Sequence, residues 1–370
     1  MKILVTHVPA GAGHQRAAEA VHLALAQVQP EAAPVLLNAL DGADLWYRWT
    51  FTRGYLGLVD GCPALWGAAY NFSDILSIRR TIYRVHRWSN AWHGRKLESI
   101  FITHQPDVII GTHFFPMEVA GFLKTRGRLR ARLITVVTDY LPHLVWSAKG
   151  VDLYAVACAA TQEELMRRDV PKEKIRVVGI PIDSQFHRRE DRPALASKLG
   201  LEPDRFTVLI TSGGFGNGPV AKLVQTFLRI PETLQLLIVA GNNDTLFRKL
   251  EQMRPRMHHR VKVYGFVRNM HELMSVSDVM VTKPGGLSCA EAIAKGLPMI
   301  LTIPIPGQET RNARFIAGTG TGIVAPSIEA VPLLVSELQK NPKRIQEIAQ
   351  RASEIVYPNP ALSIARLAVP

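Results

Sequence analysis

The stretch DVMVTKPGGLSCAEAIAKGLPMILTIPIPGQETRNARFI (278–316) decides how this chain folds. It reads as strand, glycine turn, Ala-rich helix, second strand and a Pro/Gly loop rich in polar groups. The same alternation runs through the chain. ILVTH (3–7), DVIIG (107–111), LITVVT (133–138), FTVLIT (206–211) and LQLLIVA (234–240) are near-continuous apolar, β-branched runs, and helical-period stretches separate them. Strands without an apolar/polar alternation belong to parallel sheets buried on both faces, so the fold class is α/β with doubly wound parallel sheets. The polar, proline-flanked stretch PIDSQFHRREDRPA (181–194) interrupts the pattern before a fresh strand and glycine loop, which places a linker there. Two halves are expected to face each other across a cleft, each presenting the C-terminal ends of its strands, where open α/β sheets bind ligands.

Glycines sit where those ends should lie. Gly285 and Gly286 precede a helix whose N-terminus can meet a phosphate. Ser288 and Glu291 behind them have the spacing of a capping box, so the Glu291 carboxylate either caps locally or reaches ribose hydroxyls. Gln308, Glu309 and Asn312 supply donors and acceptors of the kind that read a sugar. The loop TSGGFGNGP (211–219) holds four glycines in six residues without the Lys-Ser/Thr of a P-loop, which leaves an anion nest or a tight structural turn. In the first loop, THVPAGAGHQRAAEA, Arg16 stands where a dinucleotide fingerprint needs its third glycine, and the next strand, PVLLN, ends in Asn38 rather than an acid. A nicotinamide site is therefore disfavoured. His14 opens the helix of that loop, and the helix dipole keeps an imidazole there neutral, as a general base must be; the alternative is a simple cap.

The 370 residues allow two domains, and 47% hydrophobic with 20% charged residues is a globular composition. A net charge of +13 calls for an anionic partner. Cys62, Cys158 and Cys289 have neither disulfide nor zinc spacing and fit a reducing compartment. The short apolar start MKILVTHV does not read as a signal peptide, and no run of 18 apolar residues spans a bilayer, so a cytoplasmic protein is expected. Residues 46–96 depart from the average: they hold five of the six tryptophans and eight Lys or Arg against two acids. Such a segment suits an anionic membrane surface; nucleic acid is disfavoured because no recognition signature accompanies it.

The run VTKPGGLSCAEAIAKGLPMIL…PIPGQETRNA, with GFVRNM (265–270), SGGFGNGP and GAGHQRAAEA, resembles the glycosyltransferase family 28 lipid glycosyltransferases. Within them it is most similar to the branch of processive diacylglycerol β-glucosyltransferases and monogalactosyldiacylglycerol synthases. The motifs keep the family's order from residue 6 to about 316. The resemblance implies a GT-B fold: a lipid-acceptor domain over 1–185, a UDP-sugar domain over 195–345 and a helical segment, 346–370, crossing back to the first. It implies His14 as acceptor-side base with Asp139 as a second catalytic residue, and Gly13 beside the donor. Phe266, Val267 and Met270 would cradle uracil. Ser212, Gly213, Gly214 and the turn Pro284, Gly285, Gly286, Leu287, Ser288 would hold the pyrophosphate, Glu291 the ribose, and Gln308, Glu309 and Asn312 the sugar side. THFFP (112–116) and VVTDYLPHLVW (136–146) look like family segments, which makes His143 and Trp146 cleft residues too.

The implied reaction is inverting transfer of glucose or galactose from a UDP-sugar to diacylglycerol by a peripheral enzyme on the cytoplasmic face of the membrane, with no essential metal or other cofactor. Three readings compete: N-acetylglucosamine transfer to a polyprenyl-linked peptidoglycan precursor, UDP-N-acetylglucosamine 2-epimerisation, and a nucleotide-sugar-binding regulator. The peptidoglycan enzymes usually carry paired glutamines where this chain has Gln308-Glu309, which favours a neutral hexose. The epimerases would not need the Arg/Trp segment.

Overall fold

The computed structural model describes residues 1–9, 11–44, 54, 57, 61–74, 93–230, 234–302 and 304–369. It divides into two units. The first holds Met1–Ser184, Ile305–Arg311 and Asn359–Pro370, and the second holds Gln185–Pro304 and Asn312–Pro358.

In the first unit, strands β1 (Ile3–His7), β2 (Val35–Asn38), β3 (Val108–Gly111), β4 (Arg132–Val136), β5 (Leu153–Val156) and β6 (Ile175–Val177) form an all-parallel sheet in the order β2-β1-β3-β4-β5-β6. β1, β3 and β5 are buried at every residue, which for β1 and β3 is why they read as unbroken apolar runs, whereas β2 at the edge is half-exposed. The helix Ala12–Val28 covers one face with Ala18, Val21 and Leu25. Against it packs the C-terminal helix Pro360–Ala368, whose Ala361, Ile364, Ala365 and Ala368 recur on one helical face and are buried. Phe101, Phe115 and Leu133 are fully buried in the core on the other face.

The second unit repeats the plan. Strands β7 (Thr207–Thr211), β8 (Gln235–Val239), β9 (Arg260–Tyr264), β10 (Val279–Thr282), β11 (Met299–Leu301) and β12 (Gly322–Val324) run parallel in the order β12-β11-β10-β7-β8-β9. The helix Gly286–Lys295 connects β10 to β11, and its C-cap is Gly296 at φ 64, a left-handed position that suits glycine.

Each sheet has one place where the chain order reverses. In the first it lies between β1 and β3, where Thr6 pairs with Gly111. In the second it lies between β7 and β10, where Ile210 pairs with Val281. At such points adjacent loops leave in opposite directions and open a crevice beyond the strand ends.

Candidate functional site

The crevice of the first unit is lined by histidines. The β1 loop enters the helix Ala12–Val28 through Gly11, which has φ 112, and Gly13 and His14 occupy its first turn. His14 Nδ1 lies 2.6 Å from the carbonyl oxygen of Thr112, beyond the end of β3. A carbonyl only accepts, so Nδ1 carries the proton and the neutral ring keeps its lone pair on Nε2. Nδ1 also lies 3.2 Å from Thr138 Oγ1, and the Thr112 hydroxyl donates to the His14 carbonyl at 2.8 Å. Burial pushes the His14 pKa down, opposed by the Asp139 carboxylate and the Thr112 carbonyl. His113 meets His14 edge-on at 4.8 Å between ring centroids, and burial followed by the His14 and His7 charges holds it well below the ordinary histidine value. The His7 pKa is likewise lowered, by burial first.

Asp139 is 4% exposed after β4. It accepts from Trp146 Nε1 at 3.3 Å and from Gln308 Nε2 at 2.6 Å. Gln308 belongs with its neighbours Ile305–Arg311 to this first unit, while Glu309 Oε2 accepts from the Ile305 amide at 2.7 Å. The segment lies tight against the helix Pro63–Ser73. A Cβ on Gly67 would stand 2.6 Å from Pro306 Cβ, and one on Gly307, at φ 95, would stand 2.5 Å from the Tyr70 ring.

Beside it is a charged cluster that sequence reading missed. Asp74 accepts from Arg168 at 3.0 and 3.2 Å, from the Leu144 amide at 2.7 Å and from Arg311 at 2.6 Å. Burial would raise its pKa, but His143, Arg168 and Arg311 together lower it. His143 Nε2 lies 3.2 Å from the Tyr70 carbonyl and 3.1 Å from Ser73 Oγ, and Nδ1 accepts from the Val145 amide. Burial pushes its pKa down to about 4. Asp74, Arg168 and Arg311 lie far apart in the chain, and no short motif marks them.

The crevice of the second unit is lined by backbone. After β7, Gly213, Gly216 and Gly218 have φ 74, 61 and 99. Gly216 is needed for close approach, since a Cβ there would lie 1.9 Å from the Ala240 carbonyl oxygen. Asn242 and Asn243 brace the loop by donating to the Gly214 and Gly216 carbonyls at 2.9 and 3.1 Å. The Ser212 hydroxyl donates to the Asn217 carbonyl. Across the switch point, Gly285 is the N-cap of the helix Gly286–Lys295 with no side-chain cap, and nothing lies within 4 Å of where its Cβ would be. Open space therefore meets the positive end of a helix.

That N-cap corrects one expectation. Ser288 sits inside the first turn rather than ahead of it, so the Ser288–Glu291 capping box does not form, and Glu291 is a buried mid-helix residue, 3% exposed. Pro284 and Leu287 are buried, whereas Phe266 is 50% exposed in the loop after β9, followed by Val267 and the buried Met270. Asn312 is fully buried in the second unit. Thus Ser212, Gly213 and Gly214 fall on the loop after β7, and Pro284 to Ser288 on the turn and first helical turn after β10, flanking one switch point, while His14 and Asp139 fall on one crevice of the first unit.

Among the described residues, no group of three or more His, Cys, Asp or Glu could hold a metal ion, and no helix is long and apolar enough to cross a membrane. The expected Trp/Arg segment falls mostly outside the described residues; Gly54, Gly57, 61–74 and 93–96 are the described part. There the helix Pro63–Ser73 carries no charged residue and exposes Leu65 and Phe72, each at 62%.

Comparison with known proteins agrees with this architecture. Residues 14–182 match the monogalactosyldiacylglycerol (MGDG) synthase family model, and residues 207–364 match the glycosyltransferase family 28 C-terminal domain. A processive diacylglycerol beta-glucosyltransferase of Bacillus licheniformis is 32% identical over 266 residues, 72% of this chain and 69% of that protein. One from Staphylococcus carnosus is 33% identical over 273 residues, 73% of this chain and 69% of that protein. Among solved structures, Acinetobacter baumannii MurG aligns with a TM-score of 0.61 at 13% identity, covering 100% of this chain and 99% of its own. Anabaena Alr3699/HepE, solved in complex with UDP and glucose, aligns at 0.57 and 15% identity, covering 100% and 95%. At such identities these structures bear on fold alone, and the fold is GT-B. With both of its halves matched and relatives of this similarity, the chain belongs to the glycosyltransferase family 28 lipid glycosyltransferases.

Proposed function

We propose that this chain transfers a hexosyl group, glucose or galactose, from its UDP-sugar to the free hydroxyl of diacylglycerol with inversion, giving a β-glycosyl diacylglycerol. Residues 1–185 take the lipid and 195–345 the nucleotide sugar. The observation that carries the reading is the tautomer of His14: Nδ1–H is committed to the Thr112 carbonyl, which leaves Nε2 as a base at the switch point of the first sheet. His14 Nε2 takes the acceptor proton as the glycerol oxygen forms a bond to the anomeric carbon and the bond from that carbon to UDP breaks. The Asp139 carboxylate favours the imidazolium that results. Gln308 and Glu309 contact the hexose.

On the donor side, the diphosphate sits at the N-terminus of the helix Gly286–Lys295, between its turn and the Ser212–Gly214 loop. Backbone N–H groups meet the charge that grows on departing UDP, without a metal. Glu291 takes the ribose, and Phe266, Val267 and Met270 take the uracil. The acceptor lives in a bilayer, so the enzyme works as a peripheral protein on the cytoplasmic face. The exposed Leu65 and Phe72 support a lipid contact, with the 46–96 segment adding charge attraction to anionic headgroups.

The test is incubation with radiolabelled UDP-glucose or UDP-galactose and diacylglycerol vesicles, following lipid-soluble label and free UDP. Equal amounts of glycolipid and UDP are expected. UDP release without labelled lipid, or transfer only to a polyprenyl-linked acceptor from UDP-N-acetylglucosamine, would overturn the reading.

A further inference from the structure

A cavity of about 590 Å³ opens in the second unit away from the glycine loops, lined by His187–Glu190, Ser277–Asp278, Ile293–Pro298 and parts of the helix Pro342–Ile355. Asp278 and Pro298 immediately precede β10 and β11, so the cavity lies at the N-terminal edge of the sheet, opposite the strand ends that carry the donor loops. The segment His187–Glu190, part of the stretch read from sequence as a linker, forms one wall.

The charges in this wall are unbalanced. Arg192 grips Asp278 with two bonds of 2.8 and 2.9 Å, and Asp278 also accepts from the Thr207 amide at 2.7 Å. Glu190 accepts from Ser275 Oγ and from Lys295 Nζ, and Lys295 also donates to the Arg188 carbonyl at 2.9 Å. Both lining carboxylates are thereby engaged. The guanidinium groups of Arg188 and Arg189 have no ion-pair partner among the described residues, and the buried His187 Nε2 has no hydrogen-bond partner. Met274, Ile293, Leu297 and Ile345 give the cavity an apolar wall, beside Ser277 and Ser353. Arg188 and Arg189 are exposed, and their unpaired guanidinium forks at the cavity suit a tetrahedral dianion, while the apolar wall suits an organic body.

We propose that this cavity is a second binding site, for a small phosphate monoester, with the phosphoryl group held by Arg188 and Arg189 and the organic part against the apolar wall. It does not depend on the reaction proposed above. The test is calorimetric titration of the full chain with phenyl phosphate and with inorganic phosphate. Phenyl phosphate is expected to bind, and inorganic phosphate more weakly. The R188E/R189E chain should lose affinity for phenyl phosphate by roughly 10- to 100-fold while melting at the wild-type temperature in phosphate-free buffer. If that chain melts early, R188Q/R189Q is read by the same criterion. Gly285→Val, which fills the donor turn, should leave the affinity unchanged. Absence of binding to the wild type, equal affinity in the arginine variants, or loss on Gly285→Val alone overturns the proposal.

Discussion

His14 Nδ1 stands 2.6 Å from the Thr112 carbonyl oxygen, so the backbone at the end of β3 fixes which nitrogen of a β1-loop histidine can accept a proton. If Nε2 is the acceptor-side base, His14→Ala should lower kcat by about 10²- to 10⁴-fold and leave the UDP-sugar Kd within about twofold. Steady-state kinetics with calorimetry of donor binding checks it. A comparable loss of donor affinity would move His14 out of the proton-transfer role.

The acid limb of the rate follows the same residue. Burial lowers the His14 pKa below 6.5, so the base stays unprotonated into mildly acidic solution. The kcat/KM profile should be flat through neutrality and fall only below pH 6.5, with one proton taken up. An inflection above pH 7 would contradict this.

His143 predicts a stability profile. The native imidazole stays neutral down to about pH 4, whereas in the unfolded chain it takes up a proton near pH 6.5. Between those values the unfolded state binds more protons, so stability is complete above pH 6.5 and declines on acidification to about pH 4, by about 3 kcal/mol from this group. Urea unfolding at a series of pH values should show the slope in the wild type and a shallower one in His143→Gln.

Asp74 is the shared acceptor for Arg168, whose side chain is 4% exposed, and for Arg311, at 20%. Asp74→Ala leaves Arg168 paired with Glu164 alone and takes the ion-pair partner from Arg311, and should cost about 3 kcal/mol of unfolding free energy. A loss under about 1 kcal/mol would mean that the cluster is no more than a surface ion pair.

Two glycines should separate folding from donor binding. Gly285 faces open space at an ordinary φ of −68, so Gly285→Val should keep the wild-type melting temperature yet weaken UDP binding by at least about tenfold. Gly216→Ala meets the Ala240 carbonyl and a left-handed φ of 61, and should lose about 1–3 kcal/mol of stability as well. Thermal melts and UDP titration of both chains distinguish the two effects.

The central strands were legible because each must bury both faces, which leaves an unbroken apolar signature; β1, β3, β7, β8 and β10 stand where those runs lie. The strands β6, β9 and β12 escaped notice because each is short or partly exposed, with no such run to give it away. The glycine loops were legible for a related reason, since backbone can approach a ligand or another chain segment closely only where Cβ is missing. Glu291 shows the limit of local spacing: S-x-x-E reads as a cap until the helix is seen to begin at Gly286, three residues too early for that role.

The sequence by itself determined the two-sheet α/β plan, the glycine turns at the strand ends and the family, because all three are written in residues close together in the chain. Only the tertiary structure decided that Thr112 sets the tautomer of His14, that Gln308 bonds Asp139, and that Asp74 gathers Arg168 and Arg311. Those partners are 98, 169, 94 and 237 positions apart. A hydrogen bond or ion pair between such residues leaves no periodicity to read, since its energy depends on distance in space and not on separation along the chain.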